Sequence, residues 1–377
     1  MLEYKEMEAF MKSIGIVCEY NPMHNGHIYQ IKKIRKLYPD RPIVIVLNGD
    51  FMQRGDISLI DKWKKTDIAL NYADLIVELP FEFGTESADL FTKGACDILK
   101  ALKVETIVFG SESGDIDLLK KIVEVQTSEK YNNLVKKYLD EGLSYPKSLA
   151  KALEDLNCPV IDKPNDLLGL GYVRNMNNSV TIKRTNDYND INLGAEISSA
   201  MSIRKALENK IDIKNYVPEE TYKNLTIWHT WDDYFDLLKY KIISDDDLKK
   251  YQGVDEGIEN KIKKVINSCS NIDDLIKKTK SKRFTYNKLK RIFVHILCGY
   301  TKQEAKARKI EYVRILGFNQ KGKSYLNEIK KECDLPIITK YDKKYEMLNM
   351  ESRVSSVYNL RKKDDLLEEY QHKPIIF

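Results

Sequence analysis

"SIGIVCEYNPMHNGHIYQ", residues 13–30, changes character twice. Its opening apolar run has the composition of a short strand buried on both faces. A turn-forming stretch with asparagine, proline and glycine follows, and from His27 a helical pattern runs to about residue 38. The same order recurs along the first half of the chain. Strand-like segments lie at 13–20, 42–50, 73–80, 105–112 and 179–185, with helical patterns at 27–38, 60–72, 87–102 and 115–139. Short buried strands alternating with helices predict an α/β fold, a Rossmann-like doubly wound parallel sheet.

Between 144 and 178 a helical insertion appears, "SYPKSLAKALEDL" and then "NDLLGLGYVRNM". After about Lys210 the character shifts. "YVPEETYKNL" (216–225) reads as a linker, and "WDDYFDLLKYKII" and "YNKLKRIFVHILCGY" place apolar residues at helical spacing. A chain of 377 residues exceeds a typical single core. The expectation is therefore a catalytic domain over 1–215, with 1–12 as an extension, and a mostly helical domain over 216–377.

The composition, 42% hydrophobic and 32% charged, is that of a soluble globular protein. No apolar run approaches the roughly 20 residues of a membrane span, so no membrane association is expected. The six cysteines are scattered without C-x-x-C spacing, which argues against a zinc ribbon or disulfide framework, suits a reducing cytoplasm and marks no metal-ligand set. No obligate protein partner is evident. Charge is uneven: residues 261–344 hold 23 Lys and Arg against 8 Asp and Glu, an excess of 15, so the rest of a chain of net charge +5 carries −10. Such a stretch is either a polyanion-binding surface or a set of solvated helix faces.

In an open parallel sheet, ligands bind outside the carboxyl ends of the strands. The unusual residues collect there: "EYNPMHNGH" after the first strand, "NGDFMQRGD" after the second, Glu78 and Pro80 at the third, "FGSESGD" after the fourth, and Arg184 and Thr185 at the fifth. Gly26 allows close backbone approach, and the helix that follows is expected to direct free amides and its positive end at an anion. His24 and His27 are placed to donate to phosphate oxygens as charge builds in a displacement at phosphorus. In "ISSAMSIR" (197–204), Ser198 or Ser199 caps a helix and Arg204 lies just over one turn inside on nearly the same face, either to hold a triphosphate tail or as a plain surface arginine.

"EYNPMHNGH" with "ISSAMSIR" resembles the nucleotidyltransferase superfamily with the His-x-Gly-His signature. The ordered set "EYNPMHNGH", "GDFMQRGD", "ADLIVELP", "FGSESGD", "PNDLLGLGY", "TIKR", "ISSAMSIR" and "YVRILGFNQKGKSYL" more closely resembles the bacterial tRNA(Met) cytidine acetate ligases, over nearly the whole chain from Ser13. That resemblance implies an ATP-dependent ligase that makes acetyl-adenylate from acetate and passes the acetyl group to the wobble cytidine of elongator tRNA(Met). ATP is the co-substrate, with Mg2+ expected on its triphosphate. No protein nucleophile is needed, in keeping with the lack of a Ser-His-Asp or Cys-His arrangement.

By motif matching, His24, His27 and Arg204 are the catalytic residues. ATP contacts are implied at Val17, Cys18, Glu19, Tyr20, Asn21, Pro22, Met23, Asn25, Gly26, Ile28, Tyr29 and Gln30, then at Gly110, Asn165, Arg184 and Ser199. Asn165 is equally placed to cap the helix after it. Gln53 and Arg54 sit where a second substrate approaches, Arg54 binding acetate or RNA phosphate, or bracing the loop through a salt bridge. Arg308, Lys309, Arg314, Lys321 and Lys323 are assigned to the RNA, and the rings of Tyr312 and Phe318 between them are left open. The alternative is a small-molecule nucleotidyltransferase passing AMP to a cofactor precursor, which leaves the basic helical region unexplained. A non-catalytic RNA-binding protein is disfavoured by the intact histidines and Arg204.

Overall fold

The computed structural model describes residues 11–184, 197–361 and 368–377. Thr185, and all but the last two residues of the expected extension at 1–12, lie outside them. Five strands follow the expected positions: β1 (Ile14–Cys18), β2 (Ile43–Asn48), β3 (Leu75–Leu79), β4 (Thr106–Ser111) and β5 (Ser179–Lys183). They pair in parallel in the order β5-β4-β1-β2-β3. Alternate side chains of β2 and β3 feed two different cores. Val44, Val46, Leu75 and Val77 pack on one face, and Ile43, Ile45, Leu47 and Ile76 on the other. Helices Ala88–Ala101 and Pro164–Asn175 cover the first face; α1 (Asn25–Leu37), α2 (Lys62–Leu70) and the Ala200–Glu208 helix cover the second. With both faces buried, continuous β-branched runs are what the strands require.

The helix expected over 115–139 is two, Ile116–Thr127 and Glu129–Asp140. Ser128 breaks it: its backbone is extended, and its Oγ accepts from the Tyr131 amide at 3.2 Å to cap the second helix.

Helices Trp231–Ser244, Ile258–Val265, Ile272–Thr279 and Tyr286–Cys298 share one apolar core with parts of Glu346–Asn359. Phe51, Ile57 and Phe81, from the loops after β2 and β3, are buried in that same core. The carboxyl edge of the sheet is thereby fixed against the helical half.

The second half also returns to the sheet. β6 (Val313–Phe318) runs antiparallel beside β3, followed by the short β7 (Ile337–Ile338) and β8 (Ile375–Ile376) parallel to it. This corrects several RNA assignments. Arg314, the second residue of β6, is buried against Glu78 and Glu369 and has no surface to offer. Because β6 is antiparallel, residues after Phe318 emerge at the amino end of the sheet, where the Asn319 amide donates to the Asp74 carbonyl ahead of β3. Lys321, which reaches the Pro39 carbonyl at 3.5 Å, and Lys323 therefore lie at the opposite edge from the strand-end loops. Tyr312 is core, and Phe318 is half-buried against core. Arg308 stays at the carboxyl edge but is tethered to the Glu86 carboxylate at 2.8 Å and the Glu82 carbonyl at 3.2 Å, while Lys309 is exposed. No helix among the described residues is long and apolar enough to cross a membrane.

Candidate active site

The chain runs β1, β2, β3 outward, then crosses back to lay β4 on the other side of β1, which makes the β1–β4 boundary a topological switch point. The register opens it. β1 pairs with β2 through Cys18, but with β4 only at Ile14 and Gly15. Beyond Gly15 the two strands diverge, and Gln30 Nε2 reaches into the gap to the Val108 carbonyl at 3.5 Å. A cleft of about 1180 Å³, its open mouth included, occupies this edge.

His24 is the N-cap of α1, with its Nδ1 accepting from the Gly26 amide at 3.1 Å. His27, three residues on, closes a capping box in the position where glutamate usually stands: its Nδ1 accepts from the His24 amide at 3.2 Å. Gly26 is required because a Cβ there would lie 2.9 Å from His24 Cε1. The glycine therefore makes room for the imidazole itself. The free amides expected at this helix end are taken. Asn25 donates to the Tyr216 carbonyl, Gly26 to His24 Nδ1, and His27 and Ile28 to the His24 carbonyl. What the motif presents instead is imidazole. With each Nδ1 an acceptor, the proton of a neutral ring sits on Nε2. Both rings are held neutral: burial, then Arg184 and Arg204, pushes His24 down to about 3, and burial, His24 and Arg184 push His27 well below its usual range.

Around them the cleft is basic. The Arg184 amide extends the β4 edge by donating to the Ser111 carbonyl at 2.9 Å, and its side-chain stem crosses Gly110. Ser199 caps the Ala200–Glu208 helix, its Oγ accepting from the Ser202 amide at 3.1 Å. Arg204 follows on that helix, donating to the Asn21 carbonyl at 2.8 Å with Asp56 3.9 Å away. Asn165 is not a cap. It is the second residue of its helix, where its amide and Nδ2 donate to Glu112 from the β4 loop at 3.1 and 2.6 Å. Asp166 returns the clasp by accepting from Ser113 Oγ at 3.0 Å.

Most of the expected ATP run lines the cleft or its shallow extension: Val17, Cys18, Glu19, Tyr20, Asn21, Gly26, Tyr29 and Gln30 with both histidines. Pro22, Met23 and Ile28 are buried beneath it, and the Asn25 side chain turns to the Asn215 carbonyl at 2.8 Å. Burial pushes the Cys18 thiol up, so it is no thiolate nucleophile. Gln53 joins the cleft through its amide to Glu19 at 2.6 Å, and Arg54 stands at the mouth beside Asp56. Glu78 does not take part; it belongs to the buried cluster with Lys62 and Arg314.

Several cleft residues had escaped the sequence reading. Asp56 lay inside the quoted "QRGD", and Leu168 and Tyr172 inside "PNDLLGLGY", but nothing local distinguishes them from loop and core. Lys65 gave no signal. It rises from α2 to donate to the Glu19, Asn48 and Gly49 carbonyls at 3.1, 2.7 and 2.5 Å, binding together the ends of β1 and β2. Burial pushes it down to about 8.

Comparison with known proteins agrees with this architecture. Residues 11–373 match the family model described as HIGH Nucleotidyl Transferase. A tRNA(Met) cytidine acetate ligase of Anoxybacillus flavithermus is 39% identical over 357 residues, 87% of this chain and 89% of that one. The enzyme of the same name from Clostridium acetobutylicum is 38% identical over 403 residues, covering 97% of this chain and all (100%) of its own. The chain belongs to the tRNA(Met) cytidine acetate ligase family. Among solved structures, Thermotoga maritima TmcAL in an apo form superposes with a TM-score of 0.90 at 27% identity, covering 97% of this chain and 100% of that one. The same protein bound to alpha-thio ATP gives 0.86 at 27% identity, covering 97% and 99%.

Proposed function

We propose that the protein uses ATP to convert acetate to acetyl-adenylate and then acetylates N4 of the wobble cytidine of elongator tRNA(Met). The observation that carries this is the convergence of two neutral imidazoles, Arg184 and Arg204 on one cleft at the β1–β4 switch point. Its family relatives bear the ligase name, and TmcAL was captured with alpha-thio ATP.

In the first step an acetate oxygen attacks the α-phosphorus and pyrophosphate leaves. Nε2–H groups of His24 and His27 donate to phosphate oxygens without needing a proton from solvent. Arg184 and Arg204 neutralise charge that moves onto the leaving pyrophosphate, with Ser199 beside the tail. In the second step the cytosine amine attacks the acetyl carbon, AMP leaves with the C–O bond electrons, and the nitrogen loses a proton. Both steps need positioning and charge stabilisation rather than a protein nucleophile.

The carboxylates lining the cleft are Glu19, which accepts from Gln53 and Asn48, and Asp56, which faces Lys290 and Arg204. Neither is arranged as a magnesium cradle, so Mg2+ fits here as an ion carried by the triphosphate. The test is incubation of protein, ATP, Mg2+ and labelled acetate with total tRNA, followed by nucleoside analysis. Labelled N4-acetylcytidine supports the reading. Its absence, with AMP passed instead to a small cofactor precursor, would favour the nucleotidyltransferase alternative.

A further inference from the structure

The loop after β2 is seated on the helical half at one point. Gly55 has φ +79, and a Cβ there would stand 2.4 Å from the Lys290 carbonyl carbon and 2.5 Å from the Arg291 nitrogen. The Gly55 carbonyl also accepts from Trp231 Nε1 at 2.9 Å. Helix Tyr286–Cys298 thus abuts the loop that presents Gln53, Arg54 and Asp56 to the cleft mouth.

One turn before Lys290, at the start of that helix, stands Tyr286, with 39% of its surface exposed. Its ring is held at both ends. The hydroxyl donates to Asp273 at 2.6 Å, and Lys290 Nζ lies 5.3 Å from the ring centre. Lys290 in turn contacts Asp56, which faces Arg204 of the cleft. Burial and the Asp273 hydrogen bond push the Tyr286 phenol up, and Asp56 adds a smaller share. The charges set against the ring itself are Asp273, Asp56 and Lys290. The positive balance comes from the junction around it, where Lys282, Arg283, Lys288 and Arg291 of the same stretch adjoin Lys290, and Arg54 and Arg204 stand at the cleft mouth.

An exposed, braced aromatic ring beside a cationic rim matches single-stranded RNA, whose bases stack on rings and whose phosphates seek Arg and Lys. We propose that Tyr286 is the stacking platform for a nucleotide flanking the acceptor base, with the adjoining phosphate on the Arg54 side. This rests on the tRNA reading above. It moves the RNA contact from the 308–323 stretch, where Tyr312 is core and Arg314 buried, to the loop–helix junction.

The test compares Tyr286→Ala and Tyr286→Phe with the parent, measuring anisotropy of a labelled anticodon stem-loop and kcat/KM for tRNA relative to tRNA-free, acetate-dependent ATP–pyrophosphate exchange. Loss of one stacked base is expected to weaken Tyr286→Ala binding about tenfold or more, with the same slope of log Kd against log salt. Tyr286→Phe, which keeps the ring, is expected to bind like the parent. Parent-like binding by Tyr286→Ala overturns the proposal, as does equal loss in both variants, which would make the Asp273 brace the whole effect. A parent that binds the stem-loop but acetylates no tRNA defeats the functional reading instead, and the binding comparison still decides the platform.

Discussion

The rings of His24 and His27 stack with centres 3.7 Å apart and planes 29° from parallel, and each turns its Nδ1 to a backbone amide. One pair of side chains thus performs two tasks, closing the start of α1 and offering two Nε2–H donors. The tasks are separable, because asparagine is among the best N-caps but is too short to place a donor where Nε2 stands. His24→Asn is expected to keep a thermal midpoint near the parent's while acetate-dependent exchange falls by about 10²–10³, the usual loss of one oxyanion donor. An exchange rate within a few-fold of the parent removes His24 from catalysis.

The pH behaviour follows from the same burial. Burial, Arg184 and Arg204 hold His24 at about 3, against an ordinary 6.5, so the ring stays neutral through the physiological range. Acetate activation should therefore show no limb near pH 6.5. Stability is different: between about 6.5 and 3 the unfolded chain binds a proton at His24 that the folded chain refuses. The contribution is present above the unfolded value and lost as pH falls toward the folded one. Urea unfolding across that window should show a decline that is shallower in His24→Asn.

Arg314 tests the reassignment of the basic stretch. Lys62 Nζ stands 2.5 Å from Glu78, 2.6 Å from Glu369 and 3.4 Å from Glu351, and Arg314 bridges Glu369 and Glu78, all buried. Burial and then the Glu78 charge push Glu351 up, which eases the packing of three acidic side chains against two cations. Arg314→Met strands a buried carboxylate and is expected to cost about 3–5 kcal/mol in chemical unfolding. Adding Glu369→Gln should recover part of that. A surface, RNA-facing arginine would show neither effect.

The same residue shows where sequence reading stops. β1 to β5 were legible because strands buried on both faces must be apolar runs; the strand-end rule then gathered His24, Gly110 and Arg184 without any coordinates, and the capped-helix pattern of "ISSAMSIR" added Arg204. β6 has the same apolar character, but it is an antiparallel edge addition from far along the chain, and pairing direction has no local signature. That direction decides which edge Lys321 and Lys323 reach. Pairing of buried charges is equally non-local: "YVRIL" looks alike whether its arginine meets solvent or Glu369. The use of Gly26 was misread for a related reason, since three of the first helix amides are consumed by His24, which the sequence had already displayed, and the Asn25 amide goes to the distant Tyr216 carbonyl.

Gly55 carries the last prediction, because two independent constraints meet there. Its positive φ disfavours any side chain, and backbone of Lys290 and Arg291 fills the place of a Cβ. Gly142, with φ +85, has the first constraint without the second, as nothing lies within 4 Å of its Cβ position. Gly142→Ala should therefore lose only about 1–2 kcal/mol from the left-handed backbone and keep its activity. Gly55→Ala should lose that and a further 1–3 kcal/mol, roughly the penalty of overpacking, and the loop must lift off the helix. Lifting it separates Asp56 from Lys290 and displaces Gln53 from Glu19, so acetyl transfer to tRNA should fall more steeply than ATP binding. Equal unfolding midpoints and equal transfer rates in the two alanine variants would show that the loop is not held in place by that helix.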